Sequence, residues 1–280
     1  MRHQYIVIDQ NVLRKPELAE LVNTQPWVRF VLPDLSFLEM TKTTGSEEST
    51  LQPSLQPLAS VPERVLVAYS VNEALNRELR TLQPVNGYMH HAEATKFVRE
   101  ILRWVRTGLS NPSMERYRGD PDGHRTAVKA DHLGHEENRA DLARLIDSTK
   151  RFIPAEVQKS MRQTNLTAEE RLDIVFDLAC SLATEVLVSR GINPNKSRIF
   201  LRQKPLFYRY IIVRVWYCVD WIAKGGFDSF PEKSVTNEIL DHQYVLTASF
   251  FDGLLSRETK VKHAYADLLT IMRREVSPRA

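Results

Sequence analysis

Tyr5-Ile6-Val7-Ile8-Asp9-Gln10-Asn11-Val12-Leu13 opens the chain with an unbroken apolar run, three of its four residues β-branched, that ends on an acid. A half-buried strand would alternate apolar and polar side chains. A run without alternation is what a strand covered on both faces requires, as in the middle of a parallel sheet. Asp9 is then the residue at the carboxyl end of that strand. Working outward, Pro16 to Leu21 starts with proline and places Glu17 in the first turn, a helix-start signal, and Val28 to Leu32 reads as a second strand. Pro33 to Met40 follows as a helix opening, and Val65 to Tyr69 as a third strand. The order βαβαβ favours a parallel sheet with right-handed crossovers. Between them, residues 43–63 are rich in Thr, Ser, Gln and Pro and show little periodicity, so a surface loop is expected there.

From Val71 to Gly226 strand signals stop and helical spacing takes over. Tyr88 to Thr107 carries Phe97, Ile101, Leu102 and Val105 at three- and four-residue steps and ends at Gly108. Asn111 to Arg125, with Pro112, Gly119, Pro121 and Gly123, reads as a loop. Further helices are expected over 136–152, 167–190 and 204–224, the second opening on a capping-box pattern, Thr167 with Glu170, and stopping at Gly191. The tail returns to mixed structure: a helix over 234–251, a short strand Gly253-Leu254-Leu255-Ser256, and a last helix over 258–274. The expected organisation is one discontinuous α/β domain, residues 1–75 and 227–280, interrupted by a helical insertion, residues 76–226.

The composition fits this class. At 280 residues, with 42% hydrophobic and 26% charged residues, the chain resembles an ordinary water-soluble globular protein. The formal charge of +3 is too small to argue by itself for a nucleic-acid partner. Cys180 and Cys218 sit in apolar stretches with no metal or redox spacing around them, so buried thiols and a reducing compartment are expected. The apolar run at the start is much shorter than a signal peptide's core, and no window reaches the ~18 apolar residues of a spanning helix. A cytoplasmic protein with no membrane association is expected.

Open parallel sheets bind ligands at the carboxyl ends of their strands. Asp9 lies there, and a lone Asp at such a place ordinarily caps the turn into the next helix. Here it has company. Asn11 follows two residues later, and Glu39 lies in the helix after the second strand, which a neighbouring parallel strand would bring to the same edge. Asn237 and Asp241 are four residues apart, hence on one helix face, with Tyr244 close by. Ser256 and Glu258 end the last strand, where Ser256 can also serve as the N-cap of the final helix.

In this setting the chain resembles the PIN domain, the fold of many toxin RNases and of several RNA-processing and structure-specific endonucleases. Ile6-Val7-Ile8-Asp9-Gln10-Asn11 is similar to that family's first motif, a hydrophobic strand ending in Asp-x-Asn. Val31-Leu32-Pro33-Asp34-Leu35-Ser36-Phe37-Leu38-Glu39 is similar to the second, and Asp241 to the third acid. Leu254-Leu255-Ser256-Arg257-Glu258 resembles the fourth, with Glu in place of the usual Asp. The likeness covers about residues 3–75 and 230–275 and does not extend to the insertion. It implies a PIN-like parallel sheet flanked by helices and a metal-dependent endoribonuclease. Asp9, Glu39, Asp241 and Glu258 would form the catalytic cluster, the first three as ligands of Mg²⁺ or Mn²⁺, with Asn11, Asn237 and Ser256 fixing those carboxylates from behind. Hard cations held by oxygen ligands suit phosphodiester hydrolysis, because they neutralise developing charge and activate water. Without metal, converging acids repel and at least one pKa should rise. RNA is the implied substrate, with DNA the alternative.

Other polar groups are read against plainer roles. His132 and His135, with Asp131 and Glu136, have an HxxH look but no further ligands nearby, which leaves a solvated helix start. His90-His91 reads as surface. The stretch from Lys96 to Arg118 carries more bases than acids, and Arg99, Arg103 and Arg106 are its candidates for contact with a phosphate backbone. Leu201 to Trp221 mixes Arg, Lys and aromatic residues, as a base-stacking surface would, although a core helix accounts for it more simply. Two other function classes stay open: a toxin-like or defence effector restrained by a regulatory protein bound to the insertion, and a catalytically inactive nucleic-acid or protein-binding module.

Overall fold

The computed structural model describes residues 2–40, 48–85, 89–119, 144, 146–147, 149–163, 166–225 and 232–276. In chain order its elements are β1 (Gln4–Ile8), α1 (Pro16–Thr24), β2 (Val28–Leu32), α2 (Leu35–Met40), α3 (Glu48–Leu55), β3 (Val65–Val67), α4 (Val71–Thr81), α5 (Ala92–Thr107), α6 (Pro112–Gly119), α7 (Ala155–Arg162), α8 (Ala168–Ser189), α9 (Pro194–Arg202), α10 (Leu206–Ala223), α11 (Glu232–Ala248), β4 (Gly253–Leu255) and α12 (Thr259–Arg273). The four strands form one all-parallel sheet in the order β3-β2-β1-β4, so the chain is of the α/β class. Among the described residues no helix is long and apolar enough to cross a membrane.

The chain divides into two compact units: residues 1–73, 87–133 and 243–262, and residues 74–86, 134–242 and 263–280. This differs from the division expected from sequence at both ends of the insertion. Residues 87–133, placed with the insertion, group with the sheet, and residues 263–280, placed with the α/β domain, group with the helices.

In the sheet unit, β1 pairs with β2 through Ile6–Phe30 and Val7–Val31, and with β4 through Val7–Leu254 and Ile8–Leu255. Gly253 lets β4 come close: a Cβ there would lie 3.0 Å from the Cδ1 atom of Ile6. Val7, Ile8, Phe30, Val31 and Leu32 are wholly buried. The apolar face of α5, with Val98, Ile101, Leu102 and Val105, joins the same core. Its attachment explains why it belongs here: Thr95 Oγ1 accepts from the amide of Val67 (2.9 Å), and the amide of His91 donates to the Val67 carbonyl (2.9 Å). Residues 89–91 thereby satisfy an edge of β3 that would otherwise be open. The helix stops at Gly108, whose φ of 70° suits glycine.

Two segments expected as loops contain helices. Residues 48–55 are helical, and Leu51, Leu55 and Leu58 are buried in the core; their i, i+4, i+7 spacing was masked by Ser, Gln and Pro. Residues 43–47 lie outside the described residues. In the segment read as a loop from Asn111, residues 112–119 form α6, with Pro112 at its first position and Gly119 at its last, where these residues favour helix ends.

The helical unit is organised around α8 and α10, which pack on each other. α10 is buried along nearly its whole length, as a helix apolar on all sides must be, so its aromatics are core and not an exposed stacking surface. The capping box forms: Thr167 Oγ1 accepts from the Glu170 amide (3.2 Å), and Glu170 Oε2 accepts from the Thr167 amide (2.8 Å). Both cysteines are buried free thiols, with Cys180 Sγ 3.1 Å from Tyr208 Oη. Glu78, wholly buried, accepts from the amides of Val85, Leu206 and Phe207 and so covers the N-terminus of α10. The helix expected over 136–152 and the His132/His135 pair lie largely or wholly outside the described residues.

Candidate active site

β1 delivers Asp9 at its carboxyl end, and β4, lying beside it, delivers Ser256. The sheet runs β1, β2, β3 to one side of β1 and returns with β4 on the other. β1 and β4 therefore flank the topological switch point, the place at which open parallel sheets form a crevice outside their strand ends.

Asp9 is 5% exposed and is held from several directions. Ser256 Oγ donates to its Oδ2 at 2.6 Å, Asn11 Nδ2 donates to the same oxygen at 2.8 Å, and the Asn11 amide donates to Oδ1 at 3.3 Å. The last contact is the ordinary N-cap of the 3-10 turn Gln10–Val12, so Asp9 caps a turn and faces the switch point at once. Asn11 ties the arrangement together, because its Oδ1 accepts from the Arg257 amide (3.1 Å) while its Nδ2 holds Asp9. Ser256 Oγ in turn accepts from the Glu258 amide (3.1 Å). Two of the three residues expected to fix the carboxylates, Asn11 and Ser256, thus bind one of the expected ligands directly.

Glu258 is exposed, and its backbone amide, not its carboxylate, enters this chain of bonds. The Glu39 side chain lies outside the described residues. Asp241 is half-buried and Asn237 exposed; both lie on α11, in the part that belongs to the helical unit. Asp241 and Tyr244 are three residues apart and so share a face of α11. Among the described residues no group of three or more His, Cys, Asp or Glu side chains is placed to hold a metal ion. Asp9 itself offers carboxylate oxygen, a ligand type that suits a hard divalent cation, while the groups around it are hydrogen-bond donors that orient it and are not ligands themselves.

Ser36 and Tyr244 were not singled out from sequence as site residues. Ser36 is wholly buried, its Oγ 3.3 Å from Tyr244 Oη, and the Gln10 amide donates to the same phenol oxygen at 3.3 Å. Tyr244, in the end of α11 that belongs to the sheet unit, thereby reaches the turn after β1 and the start of α2. The helical spacing between Asp241 and Tyr244 was the available signal.

The basic stretch on α5 has a structural task. Arg99 donates to the carbonyls of Val65 and Glu63, each at 3.0 Å, and lies 3.3 Å from the Glu63 carboxylate; Arg103 reaches the same carboxylate at 2.5 Å. The hydrogen bond from Arg103, with the charges of both guanidiniums, holds Glu63 below the usual carboxylate range. Arg99 and Arg103 therefore pin α5 to β3, which accounts for their presence without nucleic acid; Arg106 is exposed.

No family model, curated protein or solved structure matches the chain.

Proposed function

We propose that the protein is a metal-dependent endonuclease of PIN-like type that cleaves RNA at the strand-end edge of its sheet, with Asp9 at the centre. The observation that carries this reading is the junction of Asp9 and Ser256 at the switch point, braced by Asn11. A buried carboxylate needs hydrogen-bond partners. Asp9 has them in a form that fixes its orientation, as the partners behind a metal ligand do. Glu39 and Asp241 are the further proposed ligands, Glu258 completes the cluster or orients water, and Asn237 supports Asp241. A Mg²⁺ or Mn²⁺ ion bound there supplies charge neutralisation at the scissile phosphate and an activated water. Asp9 contributes negative charge held in place, and Ser256 and Asn11 keep it from turning away.

One observation favours a second reading, a PIN-like binding module without catalysis: the Glu258 carboxylate stands outside the bonded group. The two are separated by incubating the purified protein with single-stranded RNA, single-stranded DNA or a branched duplex, each with Mn²⁺ or with EDTA. Internal cleavage of the RNA in Mn²⁺ and none in EDTA is expected. Cleavage of DNA alone would keep the chemistry and change the substrate, and intact substrates throughout would leave the binding module.

A further inference from the structure

The helical unit carries an acid-free basic stretch. Between Glu185 and Asp220 there is no Asp or Glu, while Arg190, Lys196, Arg198, Arg202, Lys204, Arg209 and Arg214 all fall in that interval. We infer that α9, with the turn before it, is a docking surface for double-stranded DNA.

The turn is built to be stiff. α8 ends in a two-bond glycine stop: the Ile192 amide donates to the Leu187 carbonyl (3.1 Å) and the Gly191 amide to the Val188 carbonyl (2.8 Å), with Gly191 at φ 79°. Asn193 then caps α9 through its side chain (2.9 Å to the Asn195 amide), and Pro194 starts the helix with its backbone already set. Four residues join the two helices, the length and glycine content of the turn in helix-turn-helix DNA readers.

The outer face of α9 suits a phosphate backbone. Ser197, Phe200 and Leu201 are buried, and α9 packs on α8. At about 100° per residue the opposite arc runs Arg198, Arg202, Asn195, Ile199, Gln203, Lys196, all exposed. Arg190, Lys196, Arg198 and Arg202 pair with no carboxylate among the described residues. Arg198 donates to Asn195 Oδ1 (3.4 Å) and Gln203 to the Ile199 carbonyl (3.5 Å), long contacts within the segment that leave the charges unneutralised; guanidiniums and ammoniums without a carboxylate neutralise phosphates, and Arg, Lys, Asn and Gln are the side chains that read base edges in the major groove. Three alternatives fit less well. Single strands are held by exposed aromatic platforms, and the one aromatic on α9, Phe200, is 2% exposed. A lipid surface needs a broad apolar face, and here only Ile199 and Val188 stand out. The deep, narrow major groove of A-form RNA does not admit side chains, whereas that of B-form DNA admits a helix.

The test uses the full chain in EDTA, so that cleavage plays no part, and a fluorescent DNA duplex of about 20 base pairs, roughly two helical turns. Anisotropy is followed against salt. The expected result is salt-dependent binding by the wild type. In the Lys196→Ala/Arg198→Ala/Arg202→Ala variant, affinity should fall at least on the order of ten-fold and the log–log salt slope by roughly 2 to 3. Its melting temperature should not change, since all three side chains are exposed. Arg198→Lys/Arg202→Lys should keep the salt slope, because both charges remain. Absent duplex binding by the wild type would overturn the inference. So would equal duplex binding by the triple variant, or a loss in that variant that is larger for single-stranded RNA or anionic phospholipid vesicles than for the duplex.

Discussion

Asp9→Asn should lower Mn²⁺-dependent cleavage by on the order of 1,000-fold, the factor that several kcal/mol of lost charge stabilisation converts to, while leaving the protein folded. The amide can present its oxygen where Oδ2 now receives Ser256 and Asn11, so both short bonds survive, and only the long contact from the Asn11 amide is lost, an NH₂ then facing that N–H. What is lost is the negative charge. Ser256→Ala removes the 2.6 Å donor and leaves the carboxylate less well oriented, and about 10- to 100-fold is expected from loss of such a supporting contact. Single-turnover rates beside thermal melts measure both effects. Asp241→Asn tests the other proposed ligand by the same rates, and undiminished cleavage in either variant would remove that residue from the reaction.

Glu78→Ala should be the most damaging substitution in the helical unit. Its carboxylate answers three amides, Val85 (2.8 Å), Leu206 (2.9 Å) and Phe207 (2.7 Å), two of them at the start of α10 where the helix itself supplies no acceptor. Three buried donors left without partners cost about 3 kcal/mol or more, a large share of the roughly 5–15 kcal/mol that holds a domain together. Glu78→Gln keeps an oxygen for Val85 and Leu206 but turns an NH₂ toward the Phe207 amide, so an intermediate loss is expected. The pH response should separate the variants further. Burial pushes Glu78 up from its ordinary 4.5, against the pull of the three amides and of Arg209. A carboxyl that is harder to ionise folded than unfolded gives a stability contribution that is fullest below the ordinary pKa. It is lost as pH rises through the window between that value and the raised one. Denaturant midpoints should show the wild-type advantage over Glu78→Gln shrinking across this window; an advantage constant with pH would contradict the assignment.

The parallel sheet was legible because its central strands are continuous apolar runs and because Asp9 and Ser256 end two of them. β3 was shorter than its apolar run suggested, since residues 68–69 already pair with the 89–91 segment. α3 was hidden by composition: Leu51, Leu55 and Leu58 have helical spacing, but Pro53 and the surrounding Ser and Gln read as loop. The grouping of α5 with the sheet could not be read from periodicity, which shows that a helix has an apolar face but not what it faces. Arg99 has the same limit, because its partners are main-chain carbonyls that no residue pattern marks. Asn11 was legible as a support for Asp9 because both lie within one turn of chain. Tyr244 was not, because its partners Gln10 and Ser36 lie more than 200 residues away.

If Asp9 belongs to a divalent-cation site, thermal unfolding with and without Mn²⁺ detects it without a substrate. A cation bound only by the folded protein at 100 times its dissociation constant adds about 2.7 kcal/mol, enough to raise the melting temperature by several degrees. That rise is expected in the wild type and should be lost in Asp9→Asn. An equal rise in both proteins, or none in the wild type, would contradict the assignment of Asp9 to that site.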